Sequence, residues 1–577
     1  MTLFSRNQAL ARMAENTFDL LVIGGGITGA GVALDAAARG LSVALVERDD
    51  FASGTSSKSS KLVHGGLRYI QQREYRLVYE NLAERQRLLR NAPHLVHPLP
   101  FLIPVFAKVG VGNVGKVGNK AYARALSTAL WMYDLTGGLR IGHRHERVTR
   151  EQALAHLPTL DTSRLVEALL YYDAQTDDAR LTLEVARTAV LDHGAVAANY
   201  AGVTELLRHP SGQLCGAVLS GPGCDGLEVR AEVVVNATGV WADQVRALDD
   251  PGRPSWIRPA KGVHLTVPAA KLPCDIAAVL TVPKDKRSIF VVPWSADQAG
   301  TGDAGGAARF TYLGTTDTDY QGPLDHPECT PDDVEYVLSA VNAWVSSPLS
   351  ADDVVGSWAG LRPLVRSEGT SERTTDLSRR HSVRVSGSGM VTITGGKLTT
   401  YRKMAAGTVD VVVKRLGRGS RRCPTRNLEL RGAGREADPG AGRHLFGRYG
   451  TEARAVVAMV EADADLGRPL VPGLAYLRAE AVYAARYEMA TTETDVLARR
   501  TRAILLARDA SAQAAPEVAE LLAGELGWSA TETAAQVAAY RGLVEAERVA
   551  AGLELTRQPA GVPVPGGSAG SAGGEGE

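Results

Sequence analysis

The stretch 19–47, DLLVIGGGITGAGVALDAAARGLSVALVE, constrains the fold more than any other part of the chain. It reads as strand, glycine turn, helix, strand, acid. Leu20 to Ile23 is an apolar run of strand length, and Gly24, Gly26 and Gly29 give G-x-G-x-x-G. The first glycine permits a tight turn, the second lets backbone approach a pyrophosphate, and the third lets helix pack on strand. The helix start after the turn offers free N–H groups and a positive dipole end to that pyrophosphate. A second buried strand ends on Glu47, placed to accept hydrogen bonds from ribose hydroxyls. With both strands, the helix and the acid in place, the segment predicts a bound dinucleotide.

At 577 residues the chain has room for about three or four domain-sized units. Lys plus Arg equals Asp plus Glu, at 64 each, which argues against a nucleic-acid partner while leaving room for a local basic patch. Cys215, Cys224, Cys274, Cys329 and Cys423 are scattered and form no C-x-x-C, so neither a disulfide framework nor a thiolate metal site is expected, and a reducing cytosol fits. No ligand spacing such as H-E-x-x-H predicts a metal. The N-terminus lacks an apolar signal core, and no stretch reads as a transmembrane helix.

Periodicity predicts helices over 73–89, 121–133 and 181–193, and short strands over 194–200 and 216–219. The run 231–239 is a buried strand entering a turn. From 257 to about 314 short alternating strands predict an antiparallel sheet, interrupted by a low-complexity insertion at 296–307. After 430 the chain is expected to be helical at 452–462, 477–487, 494–506 and 516–547. The end, 562–577, is Gly/Ser-rich and is expected to be disordered.

Three segments bear on which dinucleotide is bound. Residues 53–61, SGTSSKSSK, can donate many hydrogen bonds to a phosphate or an isoalloxazine edge; the alternative is a polar loop. NATG at 236–239 ends a strand on small residues that allow close approach. TGGKLTTYRKMA at 394–405 places two glycines at a helix start, where the dipole can stabilise negative charge on a reduced flavin.

In this order, TSSKSSKLVHGGLRYI, VNATGVWAD, KGVHLTV, FVVPW, LGTTDTDY, GLRPL and TGGKLTTYRKMA resemble the aerobic, FAD-dependent glycerol-3-phosphate dehydrogenases of the amine and hydroxyacid oxidoreductase superfamily. The resemblance runs from about Phe18 to Arg402 and resumes at 487–502, YEMATTETDVLARRTR. It implies an α/β plus α+β fold: a Rossmann-type FAD-binding domain, an antiparallel-sheet substrate domain and a C-terminal helical domain. The boundaries expected are 17–100, 166–250 and 386–415 for the FAD domain, 101–165 for a substrate-domain or membrane-contact segment, 251–385 for the substrate sheet, 430–555 for the helical domain and 556–577 for the tail.

It also implies oxidation of sn-glycerol 3-phosphate to dihydroxyacetone phosphate. Hydride goes to FAD and electrons to a membrane quinone; an oxidase using oxygen shares every motif. Gly24, Gly26, Gly29, Glu47, Thr55, Ser56, Ser60, Lys61, His64, Gly65, Gly239, Gly395, Gly396, Lys397 and Leu398 are expected to hold FAD.

Such a reaction needs a base for the hydroxyl proton and cations for the phosphate dianion. By resemblance Arg68 and Tyr69 bind the substrate; a surface arginine is the other reading of Arg68. Arg362 is assigned to the phosphate or the reacting oxygen, against an interdomain salt bridge. Lys397, beside Gly395 and Gly396, suits an anionic flavin edge or substrate oxygen. Thr399 donates near the flavin, or is a helix-turn hydroxyl. His264 is the general-base candidate, against a satisfied structural histidine, with His64 the weaker alternative. Together His264, Arg362 and Lys397 form the expected catalytic set.

A quinone partner implies peripheral contact on the inner face of the cell membrane. Residues 101–133, with Phe101, Leu102, Val105, Phe106 and Trp131 among Lys108, Lys116, Lys120 and Arg124, are one candidate; a core-facing helix with a basic loop is the other reading. The helical domain could serve assembly of a homo-oligomer.

Overall fold

A computed structural model describes residues 4–71, 74–106, 114–252, 254–283, 287–294, 309–366, 381–419, 422–434 and 442–556; within these, the side chains of 68, 71, 114–123 and 138–139 are not described. The insertion at 296–307, the tail at 562–577 and Lys108 lie outside the described residues, as do the side chains of Lys116 and Lys120.

Two sheets organise the chain. In the first, Val391–Thr394, Leu227–Asn236, Thr17–Ile23, Val43–Val46 and Val196–Ala198 run parallel in that order. Ser382–Val385 adds antiparallel at one edge, and the hairpin Gly202–Arg208 and Leu214–Ser220 joins Leu227–Asn236. Every residue of Thr17–Ile23 after Thr17 is buried, as a parallel strand covered on both faces requires. Ile23 lies level with Val46 on one side and Asn236 on the other. Three strand ends therefore stop together, and the glycine turn leaves from the middle one, at the carboxyl edge where open α/β sheets bind ligands. Helix Ile27–Ala38 packs on Asp178–Leu191 and Tyr401–Arg415. A Cβ on its Gly31 would meet the Tyr401 ring at 2.8 Å, so this glycine sets a helix contact.

The second sheet runs Thr318–Asp319, Ile257–Pro268, Phe310–Gly314, Ser288–Trp294, Ala277–Thr281, Val96–Phe106, Leu165–Thr176 and Leu62–Val63, with Gly356–Val365 on Ile257–Pro268 and Glu146–Val148 on Leu165–Thr176. It is antiparallel except where Ala277–Thr281 meets Val96–Phe106. Pairing moves several expected boundaries. Leu62–Val63, residues 96–100 and residues 166–176, expected in the nucleotide domain, pair in this sheet, whereas Ser382–Val385, expected in the substrate sheet, pairs in the first sheet. Local pattern could not show this, because partner choice in a sheet is non-local.

The C-terminal region is helical: Gly442–Tyr449, Ala453–Ala462, Arg478–Tyr487, Ala503–Leu506, Arg508–Leu526 and Ala530–Ala550. Two of its expected helices are divided. A left-handed Gly527 (φ 71°) ends one helix, and a Ser529/Glu532 capping box starts the next. Over 494–506 a π-helical turn, Asp495–Arg500, is followed by Arg502 at φ 78° and then by Ala503–Leu506. The helix Arg6–Glu15 precedes the first strand and ties down through Arg6 to the carbonyls of Asn199 and Tyr200.

In the suggested membrane segment, Phe101, Leu102 and Val105 are core residues and Phe106 stacks on Trp344 at 4.3 Å. Trp131 alone of its five apolar residues is exposed. No helix among the described residues is long and apolar enough to cross a membrane.

Candidate functional site

A cleft of about 340 Å³ opens at the carboxyl edge of the first sheet. Gly24, Gly26, Glu47, Thr55, Ser56, Gly239, Gly395, Gly396, Lys397 and Leu398 line it, as the sequence reading expects of a cofactor site. A Cβ on Gly24 (φ 108°) would lie 2.9 Å from the Ala237 carbonyl oxygen, and one on Gly29 would collide with the Gly24 carbonyl. Gly29 thus lets the helix seat under the turn. Ser56 Oγ accepts from Ile27 N at 2.9 Å, bringing a hydroxyl to the helix start. The Glu47 carboxylate accepts from Gly25 N at 2.6 Å and from Asp49 N at 2.9 Å, with lone pairs left for a ribose. Burial pushes this carboxyl up to about 7 against those two backbone donors.

At the other side of the cleft, Gly395 and Gly396 adopt φ of 77° and 80° and hand the chain to the turn Leu398–Thr400 and helix Tyr401–Arg415. Only glycine takes two such residues in succession without strain. The Lys397 ammonium lies over the Tyr69 ring, 3.8 Å from its centroid. Tyr69 in turn packs so closely on Gly66 that a Cβ there would meet the ring at 2.5 Å. Thr399 is buried and its Oγ1 accepts from His64 N at 3.2 Å. The Arg68 side chain lies outside the described residues.

Arg362 comes from the second sheet, where Ala260 is its cross-strand partner. Its guanidinium donates to the carbonyls of Lys261 and Thr316, to Thr315 Oγ1 at 3.0 Å, and to Asp317 at 3.3 Å. A Cβ on Gly262 would occupy the space of that guanidinium. This salt bridge joins a strand of the second sheet to the turn before Thr318–Asp319. Pro363, the next residue, lines the cleft beside Gly395–Leu398.

On the same strand as Ala260, His264 is 2% exposed. Its Nε2 pairs with Ser60 Oγ at 2.9 Å, and its Nδ1 has no hydrogen-bond partner among the described residues. Burial first, then the charges of Lys61 and Arg362, hold the imidazole well below its ordinary range, so it is neutral.

Lys61, expected at the cofactor, directs its ammonium elsewhere. It donates to Asp178 Oδ1 at 3.0 Å and to the Ser57 carbonyl at 3.2 Å, and it lies over the indoles of Trp358 and Trp294. Burial and the neighbouring Arg502 lower it to about 8 despite Asp178. Ser60, His64 and Gly65 also sit off the cleft wall, as do Tyr69, His264, Arg362 and Thr399. Gly65 N donates to Tyr133 OH and Asp173.

Sequence reasoning missed what holds the loop 50–61. Asp50 accepts from Arg499 at 2.5 Å and from Arg500 at 2.6 and 2.9 Å. Burial alone would raise the Asp50 carboxyl, but Arg500 and Arg499 outweigh it and hold it at about 2. Arg502 donates to the Ser57 carbonyl at 2.5 Å and to Asp178 at 3.0 Å. Asp178 also accepts from Ser59 N and Oγ. The signal was present as three arginines in four residues, LARRTR, whose partners lie far away in the chain. Trp241, Val245 and Leu248 in the cleft wall were missed as well, although VNATGVWAD contains the first of them.

Residues 19–402 match the family model "FAD dependent oxidoreductase", and residues 419–533 match "C-terminal domain of alpha-glycerophosphate oxidase". A Mycobacterium tuberculosis protein named glycerol-3-phosphate dehydrogenase 2 is 40% identical over 558 residues, covering 94% of this chain and 90% of that one. The human mitochondrial glycerol-3-phosphate dehydrogenase is 37% identical, with 90% and 72% covered. Among solved structures, the Bacillus halodurans glycerol-3-phosphate dehydrogenase complexed with FAD superposes with a TM-score of 0.73 at 32% identity, covering 94% of this chain and 96% of that one. The Mycoplasma pneumoniae L-alpha-glycerophosphate oxidase with FAD bound gives 0.53 at 17% identity, with 72% and 98% covered, a likeness of fold.

Proposed function

The chain belongs to the glycerol-3-phosphate dehydrogenase family of FAD-dependent oxidoreductases, and from that premise we propose that it oxidises sn-glycerol 3-phosphate to dihydroxyacetone phosphate and passes the electrons to a quinone. FAD is its cofactor. When bound, FAD supplies the acceptor for the hydride that leaves the substrate carbinol carbon. The turn Gly24–Gly26 with Ser56 would hold its pyrophosphate, Glu47 its ribose, and Gly395 to Leu398 its pyrimidine edge.

Around that group this chain's residues bind and orient. Arg362 and Lys397 supply charge for the substrate phosphate, with Arg68 and Tyr69 completing its seat and Thr399 offering a hydroxyl. Arg362 is suited to this because its fork is held by two carbonyls and Asp317 before any ligand arrives. His264 takes the hydroxyl proton as hydride departs. The observation that carries the proposal is a neutral, buried imidazole on the strand paired with that of Arg362, whose neighbour Pro363 lines the cleft beside the Gly395–Gly396 turn.

Peripheral membrane contact is part of the same reading, because quinones dissolve in the bilayer. The exposed Trp131 and Leu135 support a surface position for that face. The match to a glycerophosphate oxidase C-terminal domain gives an oxygen-using variant its footing.

Anaerobic addition of glycerol 3-phosphate to the holoenzyme is expected to bleach the flavin band, whereas glycine or sarcosine leaves it unchanged. Menadione then restores the band faster than air does. A band that survives glycerol 3-phosphate sinks the substrate assignment, and fast recovery in air without any response to menadione sinks the quinone.

A further inference from the structure

A second cavity, of about 650 Å³, adjoins the dinucleotide cleft. Arg48, Asp49, Ser53, Gly54, Thr55 and Trp241 line both, so one stretch of loop is the wall between them. Thr55 Oγ1 donates to the Leu361 carbonyl at 2.7 Å and fixes that wall to the strand Gly356–Val365. Trp358, Leu505 and Leu543 give the chamber apolar faces, the last from helix Ala530–Ala550.

Among the titratable groups of the lining, Lys58 and Glu547 take no part in the dehydrogenation proposed above. Neither Lys58 nor Glu547 makes a side-chain hydrogen bond among the described residues. Each is the other's opposite charge: Glu547 is the carboxylate that favours the Lys58 ammonium, and Lys58 the first cation that favours the Glu547 carboxylate. Burial pushes the carboxyl up and the ammonium down. The guanidiniums of Arg499 and Arg502 also line the chamber, but they are committed to Asp50, Asp495 and Asp178. The wall thus offers the uncommitted Lys58 ammonium, the Glu547 carboxyl and indole faces. That set suits a neutral, flat ring with carbonyl edges better than a phosphate dianion, and dioxygen needs no chamber of this size.

We propose that this cavity receives the ring of the quinone acceptor, Lys58 donating to a carbonyl oxygen and Glu547 delivering a proton. The inference rests on the quinone reading above. Its balance is complete. The hydride removed from the substrate carries two electrons and one proton, and the Glu547 carboxyl supplies the second proton that turns quinone into hydroquinone. The carboxylate left behind pairs with the Lys58 ammonium and is reprotonated from water.

Three variants of the FAD-loaded full chain test it, with menadione as probe: Glu547→Gln, Lys58→Met and the cavity-filling Ala539→Phe. Anaerobic reduction by glycerol 3-phosphate, and reoxidation by ferricyanide, which takes electrons without protons, stay at wild-type rates. Reoxidation by menadione slows about 100-fold in Glu547→Gln and about tenfold in Lys58→Met. Equilibrium dialysis of menadione against oxidised enzyme gives about tenfold weaker binding in Ala539→Phe. Wild-type menadione rates and affinity in all three overturn the site. A wild-type enzyme that answers to oxygen and never to menadione instead overturns the quinone reading beneath it.

Discussion

The imidazole of His264 lies flat on the indole of Trp358, ring centroids 4.7 Å apart and planes 8° from parallel. The two residues are direct partners across the strands Ile257–Pro268 and Gly356–Val365, so sheet register sets the stack. Trp358 Nε1 donates to the Ser59 carbonyl at 3.2 Å, and Ser60 Oγ holds His264 Nε2. The ring is thereby fixed by one edge and one face, and Nδ1 remains available.

His264→Asn is expected to slow anaerobic flavin reduction about 100-fold at saturating substrate with FAD content intact. Because His264 is held well below 6.5 in the free enzyme, the acid limb of kcat/KM assigned to it falls below pH 6.5, and activity persists into mildly acidic buffer. Stopped-flow reduction checks the first point. An unchanged rate removes His264 from the base role.

Arg362→Ala should raise KM for glycerol 3-phosphate about 100-fold, the loss of a charge-assisted pair, while bound FAD stays stoichiometric. Equal loss of flavin would mean that this guanidinium supports the cofactor and not the substrate. Absorbance of the purified variant beside its steady-state kinetics separates the two.

Gly29→Ala and Gly26→Ala should differ in degree. At Gly29 the added methyl strikes the Gly24 carbonyl, a backbone group that cannot yield without moving the turn. At Gly26 it meets Ser56 Oγ at 3.1 Å, a contact that a small rotation relieves. The first variant is expected to purify colourless and the second to retain weakened FAD, read from the flavin-to-protein absorbance ratio.

The glycine turn, Glu47 and the Gly395–Gly396 turn were legible because their chemistry is local: each needs a residue type at a set spacing from a strand end. The antiparallel sheet was legible from its alternation. The ownership of Leu165–Thr176 was not, nor was the destination of the Lys61 ammonium, since both depend on partners far along the chain, such as Asp178 for Lys61. The His264–Trp358 stack belongs to the same class: KGVHLTV places the histidine on a strand, but only the register of a strand almost a hundred residues later names its neighbour.

Stability should fall on both sides of neutrality for identifiable reasons. Burial, then His97 and Arg180, lower His94 to about 3, and neither of its ring nitrogens has a hydrogen-bond partner among the described residues. Its contribution is present above the unfolded pKa near 6.5 and is lost as pH falls toward 3. Burial raises the Glu493 carboxyl to about 8, and both its oxygens lack partners. Its contribution is present below the unfolded pKa near 4.5 and is lost as pH rises through 8. Each group sets a slope of about 1.4 kcal/mol per pH unit within its window. Glu493→Gln should therefore resist urea better than wild type at pH 8 and match it at pH 5. Identical urea curves for both proteins at pH 8 would falsify the assignment.

Asp50→Ala removes the common partner of Arg499 and Arg500 and leaves two buried cations facing no carboxylate there. The expected cost is about 3–5 kcal/mol, seen as an early urea transition accompanied by flavin release. A late transition with flavin retained would show that the two arginines are satisfied by Asp495 and the Glu488 carbonyl alone.

The Asp50–Arg500 pair spans 450 positions of sequence. At about 5–20 residues per second, the ribosome takes on the order of half a minute or longer to deliver the guanidinium after the carboxylate has emerged. The nucleotide crevice thus begins with the opening residues and is finished near the end of translation, so a nascent chain stalled before Arg499 carries a loop whose Asp50 anchor is still missing.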